Sequence, residues 1–224
     1  MSEIVDILNI DVSKLSAKEV LAQIISYNKS EAINIIEFLS SEAMITLNEK
    51  EELKDSMKSF DLILPGDKAV LEAANIDEPR VLEEAENRML LKTVFKYMHR
   101  NRLRIYLLAN TEEETKSFFK YISTYYPNIK LIGMARVADE NRADDMLVNA
   151  INGSEIEAII SILSTPLQED FITSNKQVLN AKMWIGIGDE KMLLPNEEGG
   201  LKKLAQFVKK KILKKEIQKS RTLL

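Results

Sequence analysis

Three short stretches carry residues whose types and spacing could do chemistry. Phe60 to Val70 reads Phe-Asp-Leu-Ile-Leu-Pro-Gly-Asp-Lys-Ala-Val: an apolar strand, Asp61–Leu64, halted by Pro65-Gly66, with Asp67 in the turn and a helix beginning at Ala69. A carboxylate in a strand-to-helix turn suits a general base, because α/β enzymes bind ligands outside the carboxyl ends of their strands. Asp67 would equally serve as the N-cap of the helix it precedes. Ser164-Thr-Pro-Leu-Gln-Glu169 follows a second apolar run. With Pro166 near the first turn of a helix, the free amides there could hold an anion and Gln168 could read a sugar or base edge. The alternative is an ordinary N-cap supplied by Ser164 or Thr165. Gly186-Ile-Gly188 follows a third strand and resembles a phosphate turn only weakly, since the chain has neither G-x-G-x-x-G nor a Walker loop.

Other chemistries lack their residues. There is no cysteine, which excludes disulfides and thiolate metal sites and fits a reducing cytoplasm. The single histidine, His99, sits in the basic run His-Arg-Asn-Arg-Leu-Arg and reads as a solvated helix end, so neither a catalytic triad nor a histidine metal site is expected. No metal and no cofactor is expected. No stretch reaches the ~20 apolar residues of a membrane span, and the N-terminus lacks a signal-peptide pattern.

Length and charge narrow the rest. The 224 residues, 45% hydrophobic and 29% charged, suit one large α/β domain or one domain with an appendage. The net charge of -4 hides an asymmetry: from Lys202 onward nine Lys/Arg face one acid, Glu216, so the 31 bases and 35 acids of the chain leave 22 and 34 in the body. An acidic body argues against nucleic acid as a partner.

The elements that must position these stretches follow from periodicity. Ile4–Val12 suggests a short strand or hairpin, and Ser16-x-x-Glu19 is a capping box opening a helix to about Asn28. Ala32–Leu39 reads as a buried strand, with Ser40 and Ser41 capping a helix to Leu47 and a further helix over Glu49–Lys58. Glu83–Arg100 has helical spacing, Leu103–Leu108 is a strand, and Thr111-x-x-Glu114 is a second capping box opening a helix to Tyr125. Strands at Ile129–Met134, Ile156–Leu163 and Lys182–Ile187 alternate with helices at Asp139–Ile151 and Leu167–Lys176. Spacings too long for hairpins predict parallel strands with crossover helices: an α/β, Rossmann-like, doubly wound and mostly parallel sheet of about six strands, helices on both faces. The body is assigned to residues 1–198 and a basic amphipathic C-terminal helix to 199–224.

Taken in order, these segments resemble the WecG/TagA/CpsF glycosyltransferase family. The resemblance rests on Val5-Asp-Ile-Leu, Asp61-Leu-Ile-Leu-Pro65, Leu103–Leu108, Tyr126-Pro-Asn-Ile-Lys-Leu-Ile-Gly133, Thr165-Pro-x-Gln-Glu169 and Ile185-Gly-Ile-Gly188, and it spans about Ile4 to Gly188. It implies an inverting, metal-independent enzyme moving a hexosamine-type sugar from a UDP donor to a polyprenyl-diphosphate-linked acceptor in bacterial cell-surface polymer synthesis. On that reading Asp67 is the base, and Ser40 and Asn110 lie in the substrate pocket. Pro166, Gln168 and Glu169 meet donor or acceptor hydroxyls, and Gly186 and Gly188 lie against the nucleotide.

Several pocket positions depart from the family pattern. The family's Pro-Asp-Gly turn becomes Pro65-Gly66-Asp67, its Thr and Asn after the second strand become Phe38 and Ser40, and its Gly-Gly becomes Ala109-Asn110. Its Gly-Gly-x-Phe-Asp-Phe becomes Gly188-Asp-Glu-Lys-Met-Leu193. These changes keep open a second reading, a non-catalytic binding or assembly subunit on the same fold.

The C-terminal stretch carries Leu201, Leu204, Ala205, Val208 and Ile212 at helical spacing, with Phe207, Leu213 and Ile217 widening the apolar face and lysines on the other. It suits an anionic membrane surface met by Lys202, Lys203, Lys209, Lys210, Lys211, Lys214 and Lys215, which would put the protein peripherally at the inner face of the cell membrane. A helix packed on the acidic body is the alternative. A homo-oligomer remains open.

Overall fold

The computed structural model describes residues 3–137, 143–188, 193 and 200–222. The chain opens with an antiparallel hairpin, β1 (Glu3–Ile7) and β2 (Ile10–Lys14). Helix α1 (Ala17–Tyr27) leads to β3 (Asn34–Leu39), α2 (Ser41–Asn48), α3 (Glu51–Met57) and β4 (Leu62–Pro65). Then α4 (Lys68–Ala73), α5 (Pro79–Glu86) and α6 (Met89–Asn101) carry the chain across to β5 (Arg104–Ala109). The body continues through α7 (Glu112–Tyr125), β6 (Lys130–Arg136), α8 (Asp144–Asn152), β7 (Ala158–Ser161), α9 (Leu167–Asn175) and β8 (Met183–Gly186), and α10 (Gly200–Thr222) follows.

Six strands form one parallel sheet in the order β4-β3-β8-β7-β5-β6. This is the α/β, Rossmann-like architecture that the alternation of strands and helices predicts. The inner strands are covered on both faces, so they read as continuous apolar runs rather than alternating ones. On one face Ile36, Phe38, Leu64, Leu107, Ile160 and Ile185 pack against α1, α6 and α7. On the other, Ile35, Leu108, Ile159 and Trp184 pack against α8 and α9, while Leu39 and Ile63 pack against α2, α4, the hairpin and α10. Both capping boxes form, at Ser16–Glu19 and Thr111–Glu114, and fix the entries of α1 and α7.

Two boundaries differ from the sequence expectation. Glu83–Arg100 is not one helix: Arg88 adopts a left-handed backbone (φ 53°) that ends α5 and redirects the chain into α6, whose Leu90, Leu91, Val94, Phe95 and Met98 then face the sheet. α8 starts at Asp144, and the predicted start at Asp139 lies outside the described residues.

α10 docks on α2 and α4, burying Leu213 and Ile217 in the same cluster as Leu39 and Val70. Lys209 pairs with Glu42, and Lys210 pairs with Glu72 at 2.6 Å, so these two face the body. Its outer side presents Phe207, Val208 and Ile212, with Lys211 placed over the Phe207 ring at 4.7 Å. Lys215 is exposed and Lys214 half-buried; Lys202 and Lys203 lie on the helix, their side chains outside the described residues. No helix among the described residues is long and apolar enough to cross a membrane.

Candidate functional site

In an all-parallel sheet every strand releases its loop at the same edge, so the turns after β3, β4, β5, β7 and β8 line one rim. The predicted site residues do gather along it. Their polar groups are held by hydrogen bonds to neighbouring residues, and one such bond joins two of them, Gln168 and Gly188.

At the β4 end, Gly66 explains the order Pro-Gly-Asp. Its N–H donates to the Leu39 carbonyl at 2.6 Å, and a Cβ there would lie 2.8 Å from the Leu39 carbonyl carbon and the Ser40 nitrogen. A side chain at position 66 would therefore strike the backbone of β3. The carboxylate stands one residue later, as the N-cap of α4. Asp67 Oδ1 accepts the Val70 N–H at 3.0 Å, and Oδ2 accepts both the N–H and the hydroxyl of Ser41 at 2.8 Å. Ser40 caps α2 by accepting the Ala43 N–H at 3.1 Å.

The crevice between β5 and β7 is where successive crossovers change direction. After β5 the chain crosses over the face carrying α7; after β7 it crosses over the face carrying α9. Such switch points are the usual ligand crevices of open α/β sheets. Here Asn110 bridges it. Its Oδ1 accepts the N–H and hydroxyl of Ser164, both at 3.1 Å, and its Nδ2 donates to the Ile162 carbonyl at 3.2 Å and to Glu114. Ser164 is thereby drawn to Asn110, and Pro166 occupies the N-cap position of α9 with no side chain capping it. The alternative of a hydroxyl cap by Ser164 or Thr165 does not form: the Ser164 hydroxyl donates to Asn110, and Thr165 donates to Glu169 Oε1 at 2.8 Å.

Gln168 and Glu169 are fully buried. Gln168 donates through Nε2 to Glu37 and accepts the Gly188 N–H on Oε1 at 3.2 Å. Gly188 holds φ at 80°, a left-handed conformation that favours glycine. Gly186 pairs with Glu37 across β8 and β3, and any Cβ on it would collide with the Glu37 carboxyl. Residues 189–192, including Asp189, Glu190 and Lys191, lie outside the described residues.

Glu37 is the residue that the sequence reading passed over. The signal was present: one carboxylate inside the otherwise apolar run Ile-Ile-Glu-Phe-Leu. Burial first, and the neighbouring Glu169 second, hold its pKa well above the ordinary carboxyl range. Burial likewise pushes Glu169 up to about 7. The Trp184 indole N–H sits beside Glu37 and favours its ionised form without reaching the geometry of a full hydrogen bond.

A hollow of about 10 Å³, enough for roughly one water molecule, lies between Phe38, Pro65, Gly66, Ala85, Arg88 and Leu91. Pockets that enclose small-molecule ligands run to about 300–1,000 Å³. A polar cleft of about 370 Å³ opens between the hairpin turn and α3, lined by Asp6, Asn9, Asp11, Glu51, Lys54, Asp55 and Lys58, and contains none of the predicted site residues. Among the described residues no cluster of three or more His, Asp or Glu has the arrangement of a metal site.

Against known proteins, residues 5–190 match the profile of the glycosyl transferase WecG/TagA/CpsF family. No curated protein matches the chain. The match takes in every strand of the parallel sheet and the turns that form its rim, and the chain belongs to the WecG/TagA/CpsF glycosyltransferase family.

Proposed function

We propose that this family member keeps the transferase scaffold with its substrate rim clasped shut, and serves cell-surface polymer synthesis as a binding or assembly subunit. One observation carries this reading. The polar side chains at the rim already bond to one another: Asp67 to Ser41, Asn110 to Ser164, Gln168 to Glu37 and Gly188. Admitting a UDP-sugar would mean breaking these bonds and leaving part-buried polar groups without partners, at about 1–3 kcal/mol each. The reading is tested by incubating the full chain with UDP-N-acetylhexosamines and a polyprenyl-diphosphate-linked sugar acceptor. The expected result is no transfer above background, and turnover would overturn it.

A second reading, the working transferase, is supported by the retained Pro166-x-Gln168-Glu169 stretch and by a family match whose range, residues 5–190, includes the rim. In it Asp67 activates the acceptor hydroxyl, Ser40 and Asn110 line the pocket, Gln168 and Glu169 hold sugar hydroxyls, and Gly186 and Gly188 approach the nucleotide. Asp67→Asn would then lower turnover by roughly 10²–10⁴-fold with donor binding unchanged.

Under either reading α10 meets an anionic membrane surface from the cytoplasmic side. Its exposed Phe207, Val208 and Ile212 flanked by Lys211 and Lys215 support this contact. The acidic body gives nucleic acid no electrostatic footing.

A further inference from the structure

Beneath the rim Gln168 rests on a pair of buried carboxyls, Glu37 and Glu169, whose protonation neither reading uses. Glu37 comes from β3, between β4 and β8, and Glu169 from the first turn of α9; both are fully buried. Each has one satisfied oxygen, Glu37 through Gln168 and Glu169 through Thr165. The other oxygen of each carboxyl has no partner, and neither does the Trp184 Nε1. The groups facing the pair are Gln168 and Thr165 from the α9 side and Trp184 and Gly186 from β8. The charge acting on Glu37 is that of Glu169, and among the described residues no Lys, Arg or His is placed to offset either one.

Two carboxylates cannot both stay ionised in such a place. A buried charge needs a counter-charge or a full set of donors, and here each carboxyl has one side-chain hydrogen bond, with the Trp184 indole beside Glu37 and the Glu169 N–H beside its own carboxyl. A proton is the one cation that fits without added space. It turns an orphaned acceptor oxygen into a donor and removes the like-charge repulsion.

We propose that Glu37 and Glu169 form a proton-linked pair that latches the Gly188 turn: with a proton on the pair Gln168 bridges Glu37 to the Gly188 N–H, and full ionisation releases that bridge. The coupling runs through one amide. Gln168 donates to Glu37 through Nε2, accepts from Gly188 through Oε1 and adjoins Glu169 in α9, so any shift of the first turn of α9 away from a doubly charged pair pulls the acceptor off Gly188. The device holds whether or not the rim binds a sugar nucleotide, since the carboxyls that carry its proton are buried beneath that rim.

Trp184 is the chain's single tryptophan, stacks on Phe171 at 5.8 Å and borders Glu37, so its fluorescence reports the pair directly. The test is a titration of the full chain from pH 5 to 9, with far-UV circular dichroism confirming that it stays folded. Trp184 emission is expected to change with a midpoint near neutrality. Glu169→Gln should move that midpoint down by about one pH unit or more, by removing the like charge, and Glu37→Gln should abolish the response. On the unmodified chain, exchange of the Gly188 amide, corrected for its intrinsic pH dependence, should accelerate about tenfold or more above the midpoint. A flat Trp184 signal across this range in folded protein, a midpoint unmoved in Glu169→Gln, or constant Gly188 protection would overturn the proposal. If either variant fails to fold, the two measurements on the unmodified chain decide it.

Discussion

The Asp67 carboxylate accepts two hydrogen bonds from Ser41, one from its N–H and one from its hydroxyl, both at 2.8 Å. The bonds tie the turn after β4 to the turn after β3, and the remaining oxygen caps α4 through Val70. The carboxylate best placed by sequence to be a base is fully engaged in holding two strand ends together.

Removing that carboxylate should therefore cost stability. Asp67→Ala is expected to lower the unfolding free energy by about 1–3 kcal/mol in urea denaturation, through lost bonds and a stranded Ser41. Ser41→Ala should cost less, and the double variant less than the sum, because both remove the same bonds. A neutral or stabilising Asp67→Ala would instead mark a residue kept for chemistry at the expense of the fold.

Restoring the family's turn order should damage this chain. The double variant Gly66→Asp, Asp67→Gly puts a Cβ 2.8 Å from the Leu39 carbonyl carbon and deletes the α4 cap. The expected loss is about 3 kcal/mol or more, read as a lower urea midpoint or a loss of soluble protein. Stability equal to the parent would show that the rim accommodates the family turn.

The buried carboxyls set the sign of a pH dependence. Unfolded, Glu37 and Glu169 titrate in the ordinary range near 4.3. Folded, Glu37 is raised well above it and Glu169 to about 7, so the folded chain binds more protons between these values. Their stabilising contribution is fully present below the ordinary range and is lost as pH rises through neutrality. Denaturant unfolding should show stability lower at pH 8 than at pH 5 by on the order of 1–3 kcal/mol relative to a Glu37→Gln, Glu169→Gln variant, whose profile should be flatter. The same slope in both proteins would place the effect elsewhere.

α10 has two faces that separate by mutation. Leu213→Ser opens the core beside Val70 and is expected to cost about 2–4 kcal/mol. Replacing Phe207, Val208 and Ile212 together with Ser should leave the melting temperature nearly unchanged but reduce sedimentation with anionic vesicles, an interaction that should also weaken as salt rises. Unchanged sedimentation in that triple variant would remove the membrane role from this face.

Much of the scaffold was legible because its signals are local and periodic. Capping boxes at Ser16–Glu19 and Thr111–Glu114 and apolar runs such as Ile105–Ala109 depend on near neighbours, and they located the helices and strands. The break at Arg88 was not legible, since the helical spacing of Glu83 to Arg100 carries no glycine or proline to mark it. At the rim the sequence supplied the right positions without their bonding. That Asp67 meets Ser41, that Asn110 meets Ser164 and that Gln168 meets Glu37 are pairings across 26, 54 and 131 residues, set by which strands lie side by side. Glu37 went unnoticed because a lone acid in an apolar run is conspicuous only once its strand is known to be buried on both faces.

The most direct test of the clasped rim is calorimetric titration of the folded full chain with UDP and with UDP-N-acetylhexosamines to millimolar concentration, paired with melting curves in the same ligands. The account predicts no saturable heat and no change in melting temperature. Saturable binding, with the rise in melting temperature that a ligand at 100 times its Kd would produce through about 2.7 kcal/mol of added stability, would contradict it and restore Asp67, Asn110 and Gln168 to a working site.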